Sequence, residues 1–378
     1  MGGTTGIANA CDLLDKLSRV SAGDIEKAAK AEEDRLIHTV EPDDGLVTPM
    51  EPDFVTGHLN VKAGGRPVAF EALYDAYVDG EIIYLAGPTG GGKTTIARAL
   101  VDRANKARYE HNRKAFERNV ALAKAKAPKD QFEPYKHLEY VLKTVQGHEE
   151  ARTAEMVGDT GLVYDEKGNR QVVAMLGAAL EAAVKGYTLL VDEADAIPAG
   201  VMAQCHGLFD KRVRSMSFWL NGRQDYTKHP RFRVIFTANT KGYGENAAEY
   251  AHVQTQSRAM LNRVSYIVDV GYMLPGSETA LLKKRVPEVP DVAVQKMVEC
   301  ANRLRAAYMG GSLDLVVSTR DIESWAREVR RAIKRGAKGS SDSDLWNRVV
   351  VPAAGPTICS KAADEGTAAA VNKELSWR

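Results

Sequence analysis

The stretch GPTGGGKTT at residues 87–95 constrains the fold of this chain more than any other feature of its sequence. It fits the pattern G-x-x-x-x-G-K-[ST], with Gly87, Gly92, Lys93 and Thr94 at the defining positions. The apolar run EIIYLAG precedes it and TTIARALVDRA follows it, so the stretch is predicted to connect a strand to a helix. Glycines let the backbone curl until several N–H groups point inward, and the helix N-terminus completes an anion cradle. The pattern therefore predicts a phosphate-binding loop.

This loop predicts ATP and Mg²⁺ as ligands. Lys93 supplies a positive charge to the outer phosphates, and the hydroxyl of Thr94 ligates magnesium. The candidate nucleotide-binding residues are all nine of the stretch, namely Gly87, Pro88, Thr89, Gly90, Gly91, Gly92, Lys93, Thr94 and Thr95.

Two further apolar runs end in polar residues. LLVDEAD ends in Asp192, which can hold magnesium through water, and Glu193, which can orient and activate the attacking water. FRVIFTAN ends in Asn239, whose amide can hydrogen-bond the γ-phosphate or that water. Alone, a strand-ending Asn is more often a turn former, so only its place after the other two motifs favours a role at the site.

Phosphoryl transfer also needs cations near the equatorial oxygens, and a neighbouring arginine can be worth about 10³–10⁵ in rate. SRAMLNRV offers Arg258 and Arg263 after the third strand. Arg320 opens a C-terminal helix, from which it could fold back over the nucleotide of its own subunit. Taken singly, each of these side chains also fits a surface or salt-bridge arginine.

Strands alternating with helices predict an α/β fold, a parallel sheet covered on both faces by helices, followed by a helical lid domain. We expect a polar, helical segment at residues 1–60, a nucleotide-binding domain at 61–275 with a basic helical insertion at 103–137, and a lid and tail at 276–378.

Two local segments give sharper expectations. RSMSFWLNGRQDYTKHPRF alternates around Asn221-Gly222 and predicts a β-hairpin. VVAMLGAALEAAVKG is interpreted as a helix. The hairpin and the stretch VGDTGLVYDEKGN are candidate client-facing loops.

The charge balance of the chain bears on which classes of partner to expect. Fifty-one basic and fifty acidic residues leave a net charge of +1, so nothing global favours nucleic acid or a membrane. The basic insertion could contact nucleic acid or a partner protein, or it could simply be a solvated helix face. The four cysteines, at positions 11, 205, 300 and 359, are far apart, which predicts reduced, mostly buried thiols. Without a secretion signal or a long apolar run, we expect a cytoplasmic protein.

In this order, the motifs resemble those of AAA+ ATPases with a P-loop NTPase fold, in particular the MoxR clade, and within it the ATPase (small) subunits of aerobic cobaltochelatases. The similarity runs from about residue 80 to about residue 330, outside the basic insertion. It is carried by VGDTGLVYDEKGNRQ, LLVDEADA, HPRFRVIFTANTKGYGE and RAAYMGGSLDLVVSTRDIESWA.

The resemblance implies a role for each matching residue. Asn239 matches the first sensor and Arg320 the second. Arg263 stands where the family has its trans-acting arginine, although LNRV replaces the usual Asp-Arg-aromatic sequence, and Arg258 is the alternative. The resemblance further implies a homo-oligomeric ring, usually a hexamer, and a separate partner protein with a von Willebrand A domain.

The favoured hypothesis is a ring-forming, chaperone-like ATPase that remodels or matures a partner protein, including insertion of a metal. A narrower version is the cobaltochelatase ATPase subunit itself. A nucleotide-gated scaffold with little turnover stays open. Asp192–Asp195 spells DEAD, the hallmark of a helicase family, but the Ser-Ala-Thr and His-Arg-x-Gly-Arg elements of those helicases are missing from the sequence.

Overall fold

The computed structural model describes residues 60–125, 128, 131–133, 140–164, 168–240 and 258–376. The predicted N-terminal helical segment lies outside these ranges. Within them, no helix is both long enough and apolar enough to cross a bilayer.

Eleven strands are present in this part of the chain. They are β1 (Val61–Ala63), β2 (Arg66–Pro67), β3 (Ile83–Ala86), β4 (Leu142–Gln146), β5 (Gly158–Tyr164), β6 (Arg170–Leu176), β7 (Thr188–Asp192), β8 (Ser215–Trp219), β9 (Arg223–Thr227), β10 (Arg233–Ala238) and β11 (Tyr266–Val270). Seven of them form one sheet in the order β2-β1-β11-β3-β10-β7-β4. The five strands from β11 to β4 are mutually parallel, and β1 and β2 add an antiparallel edge.

Thirteen α-helices accompany the strands of the described residues. They are α1 (Phe70–Val78), α2 (Lys93–Lys124), α3 (Thr153–Met156), α4 (Ala178–Lys185), α5 (Ala199–Gln204), α6 (His206–Phe209), α7 (Arg258–Leu261), α8 (Pro275–Arg285), α9 (Asp291–Met309), α10 (Thr319–Lys334), α11 (Asp342–Leu345), α12 (Val351–Ala354) and α13 (Glu365–Leu375).

Helices cover both faces of the sheet. Along β3, Ile83 and Leu85 belong to an apolar cluster that includes α1 and the start of α2. Tyr84 and Ala86 point the other way, into a cluster that includes α4 and α5. Because side chains alternate along a strand, an uninterrupted apolar run serves both clusters at once. The predicted parallel sheet flanked by helices is confirmed.

A third apolar cluster lies among the C-terminal helices, from Leu282 to Leu375. At its centre Trp325 and Trp346 pack edge to face, with ring centroids 5.8 Å apart. Each indole N–H donates to a backbone carbonyl at 2.7 Å, so neither buried ring leaves its donor unsatisfied. The predicted helical C-terminal region is present, while the domain boundaries remain predictions.

Strands β5 and β6 form one hairpin and strands β8 and β9 form another. Of these, the sequence analysis expected only the second. The hairpin expected at Asn221-Gly222 is present as β8–β9, and both turn residues have positive φ, 52° and 91°. The helix expected from residue 172 is wrong at its start, because residues 172–176 belong to β6, which pairs with β5 from Tyr164↔Arg170 to Gly158↔Leu176. The helix α4 begins only at Ala178. Strand pairing across a turn outweighs the local helical spacing here.

The basic insertion predicted at residues 103–137 begins inside a helix, and as a part of the domain division it remains a prediction. The helix α2 runs unbroken from the phosphate loop to Lys124. One side of it is not solvent-facing, since Asn112, Ala115 and Asn119 are buried. Asn119 exchanges two hydrogen bonds with the backbone of Glu133, at 2.9 and 2.8 Å.

The cysteines within the described residues are unpaired thiols. Cys205 and Cys300 are buried, as expected, and Cys359 is partly exposed. Burial raises the pKa of Cys205 to about 12. Cys11 lies outside the described residues.

Candidate functional site

Three strand ends meet at one edge of the sheet. Ala86 of β3 pairs with Ala238 of β10, and Phe236 of β10 pairs with Val191 of β7. Because these strands are parallel and adjacent, the residues that follow them lie side by side. The phosphate loop, Asn239 and the acidic pair of β7 therefore converge, as ligand sites do at the carboxyl ends of α/β sheets.

The phosphate loop curls through two left-handed glycines, Gly90 at φ 76° and Gly92 at φ 92°. At Gly87 a side chain would collide with the carbonyl oxygen of Val270, so the loop passes directly against the end of β11. The helix α2 begins at Lys93. The loop thus presents a helix N-terminus, the feature that binds phosphate.

Lys93 ties the loop to the third strand. Its side chain is buried, and Nζ donates to the carbonyl oxygens of Gly87 at 2.6 Å and Pro88 at 3.0 Å, and to Oδ1 of Asn239 at 3.0 Å. Burial lowers the pKa of Lys93 to about 8, opposed by the nearby carboxylates of Asp195 and its neighbours. Thr89 also donates to Asn239 Oδ1, at 3.4 Å.

Thr94 and Asp192 form an oxygen-rich pair that fits magnesium. The hydroxyl of Thr94 lies 3.2 Å from each carboxylate oxygen of Asp192. Mg²⁺ prefers hard oxygen ligands and usually takes only one or two from the protein. A hydroxyl and a carboxylate at this spacing, beside a phosphate loop, are the donor set such an ion requires.

Glu193 has a strained backbone. Its φ of 55° and ψ of 46° place a non-glycine residue in the left-handed region, which costs about 1–3 kcal/mol. The exposed carboxylate accepts a hydrogen bond from Gln146 Nε2 at 2.9 Å. A side chain at Gly147 would collide with the Glu193 carbonyl, so only glycine allows this approach. The left-handed residue directly follows the last residue of β7, Asp192, and its carboxylate lies beside Gln146, the last residue of β4.

Thr237 supports the acidic pair, and the sequence analysis missed it. Its hydroxyl, fully buried in β10, donates to the Asp192 carboxylate and accepts from the backbone N–H of Glu193 at 3.2 Å. A single side chain therefore fixes both acidic residues. The signal in the sequence was the polar residue interrupting the apolar run FRVIFTAN.

Asp195 supports Asn239 in the same way. Its carboxylate is 1% exposed and accepts from the backbone N–H groups of Asn239 at 2.9 Å and Thr240 at 3.0 Å, and from the Thr240 hydroxyl at 3.2 Å. Three donors to one buried carboxylate hold the end of β10 in place. The sequence motif LLVDEAD contains this residue but does not reveal its supporting role.

Arg320 lies near the phosphate loop. Gly90 has no room for a side chain because Ser318, two residues before Arg320, packs against it. After burial and the opposing carboxylates, the charge of Arg320 also lowers the pKa of Lys93. The structure thus brings this C-terminal residue to the same site.

Arg263 does not join this site in its own chain. It precedes β11, and the nearby Ser265 N–H donates to Ile82, just before β3. Arg263 therefore lies near the amino ends of the strands, opposite the carboxyl ends where the phosphate loop lies. Its Nη1 donates to the carbonyl of Ala259 at 2.6 Å, and its Nε lies 3.8 Å from Asp210 Oδ2. The side chain of Arg258 is outside the described part of the chain.

The support from Thr237 predicts that Thr237→Val lowers ATP turnover about tenfold, equivalent to about 1.4 kcal/mol in the barrier. Valine fills the same volume but removes both hydrogen bonds to the acidic pair. The matched control is Thr188→Val at the other end of β7, where a buried hydroxyl bonds Tyr77 at 2.7 Å. Steady-state turnover and thermal unfolding compare the two variants. If Thr237→Val and Thr188→Val turned over ATP at the same rate, Thr237 would have no positioning role.

Residues 78–228 match the family described as AAA domain. This span contains the phosphate loop and the acidic pair and ends before Asn239. The chain is 32% identical over 102 residues to the aerobic cobaltochelatase subunit CobS of Sinorhizobium sp., which covers 26% of this chain and 31% of that protein. It is 26% identical over 176 residues to von Willebrand factor A domain-containing protein 8 of Mus musculus, which covers 43% of this chain and 9% of that protein.

Among solved structures, NtrX from Brucella abortus in complex with ADP aligns with a TM-score of 0.42 and 16% identity, over 73% of this chain and 52% of that chain. The Thermotoga maritima RuvB Holliday junction branch migration motor aligns with a TM-score of 0.41 and 11% identity, over 79% and 70%.

The chain spans less than a third of the cobaltochelatase subunit and less than a tenth of the mouse protein. What it shares with them is therefore a domain. The AAA match covers the phosphate loop and the acidic pair. Residues 78–228 therefore carry an AAA domain, and the similarities of the chain fit an AAA+ ATPase of the MoxR and cobaltochelatase-subunit type.

Proposed function

We propose that this protein binds ATP with Mg²⁺ at the edge formed by β3, β10 and β7 and hydrolyses it to ADP and phosphate. The observation that carries the proposal is the set of direct contacts linking Lys93 to Asn239 and Thr94 to Asp192. These contacts support a phosphate loop and a magnesium-type oxygen pair that serve one ligand, with Glu193, the residue after Asp192, as the general-base carboxylate.

Each residue has a distinct task in this proposal. The backbone of the loop and the ammonium of Lys93 bind the phosphates. Thr94 and Asp192 hold the magnesium ion, which neutralises phosphate charge when bound. Glu193 accepts a proton from the attacking water and orients it, and Asn239 hydrogen-bonds that water or the terminal phosphate. Arg320 adds a positive charge from the C-terminal side.

The direction of Arg263 supports a shared active site. Because the Arg263 guanidinium lies near the amino ends of the strands, it does not reach the nucleotide of its own subunit and serves that of an adjacent subunit. Head-to-tail contacts of this kind close into a ring, and the resemblance to the MoxR clade makes a hexamer the expected size. Arg258 remains the alternative donor.

An exposed apolar surface supports coupling to a partner protein. This hairpin surface consists of Leu162, Tyr164 and Val172 on β5–β6 and Trp219 on β8–β9. Asn221 joins the two hairpins, because its N–H donates to Thr160 Oγ1 and its amide donates to the carbonyl of Val172. Large exposed apolar side chains grouped on one surface mark a protein interaction site.

The proposed occupant of the hairpin surface is a separate, cytoplasmic partner protein with a von Willebrand A domain. ATP hydrolysis would then remodel or mature that partner, and metal insertion, as in a cobaltochelatase, is one form of such maturation. The similarity to a mouse protein named for its von Willebrand A domain supports this class of partner.

Hydrolysis is tested by Glu193→Gln. We expect turnover to fall at least about 100-fold, the range of general-base catalysis, while ATP affinity is retained. The measurements are phosphate release and binding of a fluorescent ATP analogue, with the exposed Glu150→Gln as the control for loss of charge at this edge. Equal, near-zero turnover in wild type and variant, with ATP binding intact, would instead favour a nucleotide-gated scaffold.

The partner surface is tested by Trp219→Ser in the Glu193→Gln background. With ATP present, the Glu193→Gln protein should retain a von Willebrand A protein during purification from its own cells, identified by mass spectrometry. Adding Trp219→Ser should remove that protein, because Trp219 is 81% exposed and contributes apolar contact area. Met309→Ser is the control, since Met309 is 78% exposed but lies at the end of α9. Retention by the Trp219 variant would refute this surface.

A further inference from the structure

A buried ion pair joins two of the C-terminal helices. Arg305 of α9 donates from Nη1 and Nη2 to the two carboxylate oxygens of Glu278 in α8, at 2.8 and 2.9 Å. The side chains are 5% and 0% exposed. Burying two charges is costly even when they pair this well, and apolar replacements are often as stable. Such a pair calls for an explanation beyond stability.

Two further hydrogen bonds of the ion pair go to the short segment before Arg320, beside one from Arg305 Nη1 to Asn302 Oδ1 at 3.2 Å. Arg305 Nε donates to the carbonyl of Val317 at 2.7 Å. The hydroxyl of Thr319 donates to Glu278 Oε1 at 2.7 Å. The two charged groups therefore hold Val317 and Thr319, the residues on either side of Ser318, just before Arg320.

This segment rests directly on the phosphate loop. Ser318 occupies the space that a side chain at Gly90 would need. Ser318 also begins α10 through a capping box with Asp321, in which the serine N–H and hydroxyl both bond the Asp321 carboxylate at 2.8 Å. The first turn of α10 is thus held by the phosphate loop through Ser318 and by the ion pair through Val317 and Thr319.

The ion pair also contacts the end of the sheet. The guanidinium of Arg305 lies 4.2 Å from the ring centroid of Tyr272, two residues after β11. The preceding Val270 carbonyl is the group that packs against Gly87. Arg305 therefore links the sheet, the phosphate loop and the helix that carries Arg320.

We propose that the Glu278–Arg305 pair, acting through Thr319, positions Arg320 over the nucleotide phosphates. Thr319, Glu278 and Arg305 are positioning residues in this proposal, which rests on the proposed nucleotide role of Arg320. The cluster holds the arginine at a fixed distance from the loop, so its contribution to ATP binding depends on an ion pair that never touches the ligand.

The test is a double-mutant cycle between Thr319→Val and Arg320→Ala, read as ATP affinity with the fluorescent analogue. Thr319→Val alone should weaken ATP binding about five- to tenfold, less than the full loss of a hydrogen bond to a charged group, because the change reaches the nucleotide only through Arg320. In the Arg320→Ala background the same change should alter affinity less than twofold. Thr319→Ser, which keeps the hydroxyl, should restore the wild-type affinity.

Thr367→Val is the matched control. Thr367 also lies in the first turn of a C-terminal helix, and its hydroxyl also bonds a carboxylate, that of Asp364 at 2.8 Å. It is remote in sequence from Arg320 and contacts no residue of the cluster among the described hydrogen bonds. Its loss should leave ATP affinity unchanged, and thermal unfolding checks that every variant is folded.

Three results would overturn the inference. Fully multiplicative effects in the cycle would show that Thr319 acts independently of Arg320. Normal affinity in Thr319→Val, with a clear loss in Arg320→Ala, would refute the positioning role alone. Normal affinity and turnover in Arg320→Ala would refute the nucleotide role of Arg320 itself, while Glu193→Gln would still test hydrolysis separately.

Discussion

The parallel pairing of β10 with β3 on one side and β7 on the other is the constraint on which the site depends. The hydrogen bonds of the two ladders fix where each strand ends, so the phosphate loop, Asn239 and Asp192 emerge next to one another. A slip of one residue would turn the side chains of a strand to the opposite face. It would also move Thr237 away from the acidic pair that it now supports. The apolar runs that cover both faces of the sheet therefore specify the chemistry at its edge as well as the core.

Buried polar groups maintain this edge at a cost in stability. Lys93 and Asp195 are both buried, and each has its hydrogen bonds directed at the loop or at the end of β10. Unpaired, either group would be strongly destabilising. Paired, they hold the site in a conformation that is ready for an anionic ligand. The Glu278–Arg305 pair extends the same principle into the C-terminal helices, where a costly interaction lies beneath a residue proposed to contact the nucleotide.

Much of this could be predicted from sequence because it is encoded locally. The glycine pattern specifies the loop, the apolar runs that alternate with helices specify the parallel sheet, and Asn221-Gly222 specifies a hairpin. What was missed depends on pairing between distant segments. Residues 172–176 form a strand only because β5 lies beside them. Thr237 and Asp195 became supporting residues only once strand order was known, and no local pattern joins Glu278 to Arg305.

The central claim is that one chain supplies the phosphate loop and acidic pair, and the next supplies the guanidinium. Mixing Lys93→Ala with Arg263→Ala subunits tests it most directly, because each variant lacks a different half of the site. Neither should turn over ATP alone. An equal mixture that assembles at random should recover about a quarter of the wild-type turnover, since that fraction of interfaces joins an intact loop to an intact arginine. No recovery at any mixing ratio would contradict a site shared between subunits.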